Sequence, residues 1–248
     1  MAFTTKCRQA QWNVGFLEMT KGLRVSGSTY IVGVRYNFPE VHSTPELLPV
    51  TQPQPKFFTQ LVHSGKSSIE LLSTLQRDDS SSPIFTHFLK FVYVGKGRTE
   101  QLPDWFHKKY GHGLYEKPGE RFKELDWSDV KCEIHTKNFT VLPSHIDLFG
   151  HTNHFVYIKF IIDTIGDFLC RNKNESFLFR LPLSSMEIFY AGDCFEGDVL
   201  KVTLLECSRN NQDFLGVRIS KERDSSVIVH FRAIFKGDMI SCRKPSKL

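Results

Sequence analysis

Long apolar runs are missing from this sequence. No segment approaches the length of a membrane span, and the first residues, MAFTTKCRQAQWNV, lack the uninterrupted apolar core of a signal peptide, so neither a secreted nor an integral membrane protein is expected. Cysteine is sparse as well, six in 248 residues, at positions 7, 132, 170, 194, 207 and 242. These show no Cys-x-x-Cys pair and no ladder of short spacings, which argues against a zinc site and against a disulfide scaffold. Reduced thiols in an intracellular compartment, and no metal or redox cofactor, are the expectation. Charge of one sign is nowhere concentrated: 32 Lys and Arg against 27 Asp and Glu leave a net +5, scattered among acidic neighbours. That is not the pattern of a nucleic-acid arm. The mild surplus fits either a phosphate-bearing ligand or ordinary solubility.

Phenylalanine, by contrast, is abundant, at 22 residues. So many rings suit thick helix-on-sheet cores or the walls of an apolar tunnel, and do not by themselves point to lipids. Residues 199–235 read as three successive strands, VLKVTLLEC, DFLGVRIS and SSVIVHFRAIF, with turn-rich NNQ and KERD between them, an antiparallel meander. Ahead of it, MEIFYAGDCFEGD predicts another strand with a Gly-Asp turn. Before that, Phe155, Ile158, Ile162, Ile165 and Leu169 fall at helical spacing and predict a helix over about 152–170 with one face buried on the sheet.

The first half repeats the order more weakly. It has an amphipathic stretch over 9–23, a strand TYIVGVRYNF, a Pro-rich loop over 39–55, and strands KFFTQLVH, SIELLSTLQR and IFTHFLKFVYV. Arg77 and Asp78 echo Arg223 and Asp224, and His87-Phe88 echoes His230-Phe231. A helix followed by an antiparallel meander, twice, predicts an α+β chain in which each half wraps a curved sheet around one long helix. The expected boundaries are a first domain over 1–110, a connection over 111–129, a second domain over 130–240 and a tail over 241–248.

Asp147 and His151 fall just before and at the expected start of the central helix, where free backbone N–H groups and the helix dipole can hold a carbonyl oxygen that becomes negative during attack. Gly150 permits a close backbone approach. An Asp there can act as general base for water or attack an acyl carbon itself, and a His can hydrogen-bond the water or the oxyanion. The same spacing also fits a plain helix cap at Asp147 with His151 as a polar first-turn residue. His151 and His154 could share a metal, but no third ligand stands at a plausible spacing. Cys194 has no His at a revealing distance and reads as a buried thiol or, less simply, a nucleophile.

The run PSHIDLFGHTNHFVYIKF resembles the D-x-x-G-H-x-N-x-x-x-Y signature of hot-dog-fold thioesterases, with Asp147, Gly150, His151, Asn153 and Tyr157 in register. The likeness extends to the double hot-dog acyl-carrier-protein thioesterases of plants. Their second-copy strand has the form Y-x-x-E-C-x-x-x-D, to which Tyr190 through Asp198 is similar without a gap. The resemblance implies a double hot-dog fold, a degenerate, non-catalytic first copy, and catalytic roles for Asp147 and His151. Asp193 stands, one methylene shorter, where that family keeps a Glu. It further implies that Gly150, Thr152, Tyr157 and Phe149 line the bound thioester. One position departs: the family has D-x-N-x-H, and here Phe149 replaces the Asn. A phenyl ring cannot hydrogen-bond water, so Asn153 or a backbone group takes that role or turnover is reduced.

The chain ends in Ser246-Lys247-Leu248, a receptor-read peroxisomal address. Together with the resemblance, it predicts hydrolysis of fatty acyl-CoA in peroxisomes. The expected partners are an acyl-CoA substrate and the import receptor, with no nucleic acid and no membrane span; a homodimer is left open. Two rivals stand beside this reading. One is a non-catalytic acyl-thioester-binding protein of the same fold, which Phe149 favours. The other is an enoyl-CoA hydratase, whose G-D-x-N-P-L-H form puts His five after Asp, whereas His151 is four after Asp147 and no Asn-Pro pair is present.

Overall fold

The computed structural model describes residue 23 and residues 28–38, 56–76, 83–96, 98–110, 122–147, 150–171 and 183–235. Outside them lie the amphipathic stretch before Leu23, the Pro-rich loop over 39–55, Arg77 and Asp78, residues 111–121, Phe149, and the tail with Ser246, Lys247 and Leu248. The chain divides into two compact units, one of residues 1–34 and 51–121, the other of residues 35–50 and 122–248.

In the first unit, β2 (Lys56–Ser64), β3 (Ser68–Gln76) and β4 (Pro83–Gly95) form the predicted meander, paired from Lys56 opposite Gln76 and from Ser68 opposite Val92. β1 (Ser28–Asn37) precedes them, and its residues from Arg35 on belong to the second unit. Alternation carries the burial: Ile69, Leu71 and Leu75 of β3 and Leu89, Phe91 and Tyr93 of β4 are all buried. Glu70 is fully buried and accepts a 2.8 Å bond from Lys90 directly opposite it, the partner that makes its burial tolerable. Strand β5 (Arg98–Thr99) and helix α1 (Asp104–Tyr110) follow, with Phe106 completely enclosed.

The second unit carries strands in the order β7 (Leu183–Tyr190), β10 (Val227–Phe235), β9 (Gln212–Lys221), β8 (Val199–Arg209) and β6 (Val130–Thr140), antiparallel throughout. Asn210 and Asn211, at φ 51° and 63°, make the two-residue β8–β9 turn, the left-handed pair that matches strand twist. Helix α2 (His154–Arg171) lies on one face of this sheet. Its Tyr157, Ile158, Phe160 and Ile161 join Ile188, Leu200, Val202, Leu204, Val217, Ile219, Val229 and Phe231 in one core. Each such aliphatic or aromatic side chain contributes roughly 1.5–3 kcal/mol by leaving water. A long helix wrapped by a curved antiparallel sheet is the α+β hot-dog unit.

Three expectations are corrected. The helix begins at His154, not Thr152, and its buried stripe runs through 157, 158, 160, 161, 164 and 169, which leaves Ile162 43% exposed rather than on the core face. The stretch MEIFYAGDCFEGD is strand only as far as Tyr190, and residues 191–198 form a loop. Residues 122–129, assigned above to a connection, pack as a strap against the opposite face of the second sheet. Leu125 joins Leu205, Cys207 and Phe214 there, and its N–H donates to His230 Nδ1 at 3.1 Å. Gly216 permits this approach: a Cβ at that position would sit 2.8 Å from Cys207 Sγ and 3.1 Å from Leu125 Cδ2.

Candidate active site

The chemistry-bearing run begins as a hairpin. Asp147 N–H donates to the His151 carbonyl at 2.9 Å, Gly150 N–H donates to the Asp147 carbonyl at 3.1 Å, and Ile146 bridges Thr152. That pattern closes a three-residue loop whose third residue must be left-handed, and Gly150 has φ +80°. The D-x-x-G-H spacing is therefore a turn signature before it is a chemical one. Residues directly opposite in an antiparallel pair keep their Cβ atoms about 4.5–5.5 Å apart on one face, so the turn makes Asp147 and His151 neighbours.

Asn153, not Asp147, caps α2: its Oδ1 accepts Phe155 N–H at 3.0 Å and its carbonyl accepts Val156 N–H at 2.8 Å. Asp147 is thus released from the capping role that its spacing alone allowed. The same bond engages the side-chain oxygen of Asn153 with the start of the helix. His145 was not picked out by sequence. Its Nδ1 accepts Leu142 N–H at 3.0 Å, its carbonyl accepts Asn153 N–H at 2.9 Å, and its ring stands edge-on to Phe160. Burial, with Lys159 adding to it, lowers the pKa of this imidazole and favours its neutral form. The one available signal was its place two residues before Asp147.

The loop after β7 meets this hairpin. Thr152 donates both its N–H and its hydroxyl to the Cys194 carbonyl, each at 2.9 Å, and the His151 ring stands edge-on to Phe195 with centroids 5.4 Å apart. Asp193, exposed, precedes Cys194 in this loop, so the hairpin meets the loop through His151 and Thr152 on one side and the residues that follow Asp193 on the other. Cys194 is fully buried, and burial pushes its thiol up to about 11, which argues against a nucleophile. Tyr157 is 3% exposed, and burial raises its pKa. It is a member of the core around the site rather than part of an open surface.

At the far end of the loop, Asp198 Oδ2 accepts Phe195 N–H at 3.1 Å and meets Lys221 Nζ at 3.2 Å. Burial opposes ionisation of Asp198, but the Phe195 amide, Lys221 and Arg223 outweigh it and hold the carboxyl below its ordinary range. The last Asp of the Tyr190–Asp198 motif is therefore structural. Among the described residues, no three His, Cys, Asp or Glu side chains are grouped so as to hold a metal, and no helix is long and apolar enough to cross a membrane.

No protein-family model matches the chain, and no curated protein matches it in sequence. Solved structures do. A 12:0-ACP thioesterase from Umbellularia californica superposes with a TM-score of 0.67 at 12% identity, covering 96% of this chain and 89% of that one. An acyl-ACP thioesterase from Bacteroides thetaiotaomicron gives 0.58 at 17%, covering 86% and 78%. A MaoC-like dehydratase from Phytophthora capsici gives 0.50 at 10%, covering 85% and 72%. Likeness over most of the chain at such low identity establishes the double hot-dog fold.

Proposed function

We propose that the chain is a thioester hydrolase that cleaves fatty acyl-CoA to free fatty acid and CoA, with the second unit catalytic and the first non-catalytic. The observation that carries this reading is the pairing of Asp147 and His151 across the Gly150 turn, beside exposed Asp193. In the reaction, water adds to the acyl carbonyl carbon and gives up a proton to the Asp147 carboxylate. The tetrahedral oxyanion is stabilised by His151 or a backbone N–H, and collapse breaks the C–S bond and releases the thiol, which takes up the proton. Direct attack by Asp147, with water then opening the anhydride, gives the same products. Asp193 serves as the second carboxyl that orients the water. The acyl chain runs between α2 and the sheet.

Two acyl-carrier-protein thioesterases share the fold, which supports hydrolysis. The choice of CoA as head group follows from the terminal Ser246-Lys247-Leu248, which we read as directing the chain to peroxisomes through the import receptor. A second reading, a non-catalytic acyl-CoA-binding protein, is favoured by Phe149, which stands where the resembling family has an Asn.

One experiment separates these readings. The purified chain and Asp147→Ala are incubated with a panel of saturated acyl-CoA lengths and with a trans-2-enoyl-CoA, and free thiol is followed. Thiol release by the wild type and its loss in the variant support hydrolysis. Equal, slow release by both leaves binding without turnover, and hydration of the enoyl ester without thiol release assigns the chain to hydratase chemistry. For location, a fluorescent fusion with the last three residues intact is expected in peroxisomes, and cytosolic signal would overturn that part.

A further inference from the structure

Asp193 lies on a loop whose two ends are anchored independently of the Asp147 hairpin. At its start, Ala191 and Gly192 N–H groups donate to the Ile228 carbonyl at 2.9 and 3.3 Å. At its end, Gly197 N–H donates to the Val141 carbonyl, and Val141 N–H to the Asp198 carbonyl, both at 2.9 Å. Its middle is fixed by Thr152, through the backbone N–H and the hydroxyl that converge on the Cys194 carbonyl. Thr152 immediately follows His151, and Cys194 immediately follows Asp193. The residues that carry the link are thus the chain neighbours of the two groups whose separation matters.

We infer that Thr152 is a positioning residue: its hydroxyl pins the Cys194 carbonyl and thereby sets the distance between His151 on the hairpin and Asp193 on the loop. The inference rests on the hydrolase reading of this site. Thr152 is 6% exposed and Cys194 is fully buried, so water competes poorly for the carbonyl, and loss of the hydroxyl leaves one donor where there were two. Thr152 acts through the placement of His151 and Asp193, its own chain neighbour and that of Cys194. Errors in placement of about 1 Å in such groups cost on the order of a hundredfold in rate, which is the scale on which the hydroxyl matters.

The test is a Thr152→Val, Thr152→Ala and Thr152→Ser series in the full chain, with kcat and KM read by thiol release and melting temperature read alongside. Thr152→Val is expected to lower kcat by about tenfold or more with KM within about twofold, and Thr152→Ser to restore most of it. Thr152→Ala, which leaves no second methyl against the carbonyl, replaces Val if Val prevents folding. A Val or Ala variant with wild-type kcat overturns the inference. So does a Ser variant as impaired as Val. Hydrogen exchange of the peptides spanning 146–153 and 191–195 decides the same point without turnover: both are expected to exchange faster in Val or Ala and to recover in Ser, and unchanged exchange overturns the link. A wild type that releases no thiol from any ester would instead sink the hydrolase reading, while the exchange result would still decide whether Thr152 holds the loop.

Discussion

Asp147 and His151 face each other across a hairpin closed by the Asp147 N–H to His151 carbonyl bond at 2.9 Å, and the turn that brings them there depends on one left-handed residue, Gly150 at φ +80°. A Cβ at position 150 would meet nothing within 4 Å, so Gly150→Ala is limited by backbone conformation alone. The expected cost is about 1–2 kcal/mol of stability. Turnover should fall further than that cost explains, because the pair loses its register. Equilibrium denaturation beside kcat checks this: a stable Gly150→Ala variant with undiminished kcat would separate the turn from the chemistry.

Asp193 is exposed and contributes little to packing, so its removal should leave the melting temperature within a degree or two of wild type. Asp193→Ala is nevertheless expected to lower kcat by about a hundredfold, the scale of a positioned acid or base. Asp193→Glu, which restores the length that the resembling family uses, should keep or raise activity. If Ala and Glu behave alike, Asp193 has no part in the reaction.

The Asp198–Lys221 pair is nearly dry, its side chains 11% and 9% exposed, and it supports the turn that follows Cys194. Asp198→Asn keeps the shape and can still accept from Phe195 N–H, but leaves Lys221 without its carboxylate. About 3 kcal/mol of stability should be lost, read as a lower urea midpoint at unchanged m. Because the folded carboxyl titrates below its ordinary value of 3.8, the pair's contribution is complete above that pH and is lost as pH falls through the lower folded value. A variant as stable as wild type at pH 7 would show that the pair only balances its own desolvation.

Much of this architecture was legible in the residues. Strands such as VLKVTLLEC and DFLGVRIS declared themselves by apolar content and bounding turns, and Asn210-Asn211 by its tolerance of positive φ. The helix was legible in kind but not in edge, because Thr152, Asn153 and His154 all offer polar starts and only geometry shows that Asn153 caps. Ile162 was misplaced because its spacing from Ile158 fits a helical stripe, whereas the packed stripe is centred on Tyr157, Ile158 and Ile161. The residues suggested only a close backbone approach at Gly150, and its turn role emerges from its φ of +80°. The Thr152 to Cys194 link spans 42 residues, and the Leu125 to His230 link 105, and no local pattern encodes either.

The strap over 122–129 gives the last prediction. His230 is buried in the outer face of the sheet, its Nδ1 accepting Leu125 N–H at 3.1 Å, so the neutral ring is the form that fits. Phe189 flanks the ring, Arg218 lies opposite it on β9, and Lys123, Glu124, Glu187 and Arg232 surround it. Burial lowers its pKa, Glu124 opposes that shift and Arg218 reinforces it. A base whose folded pKa lies below its unfolded value of 6.5 binds more protons when unfolded. Stability is therefore flat above that pH and falls as pH drops below it, until the folded ring itself takes a proton. Protonation also turns Nδ1 into a donor facing a donor, which should loosen Leu125 and the strap before the rest of the unit. Denaturation midpoints at pH 7.5 and 5.0 are expected to differ more for the wild type than for His230→Asn, with the remainder in the variant coming from His145, whose pKa is lowered in the same sense. The protection of the Leu125 N–H, its exchange rate taken against the intrinsic rate at each pH, should fall over the same interval in the wild type. An exchange rate that only slows with the base-catalysed trend as pH falls would show that the strap does not depend on the charge of His230.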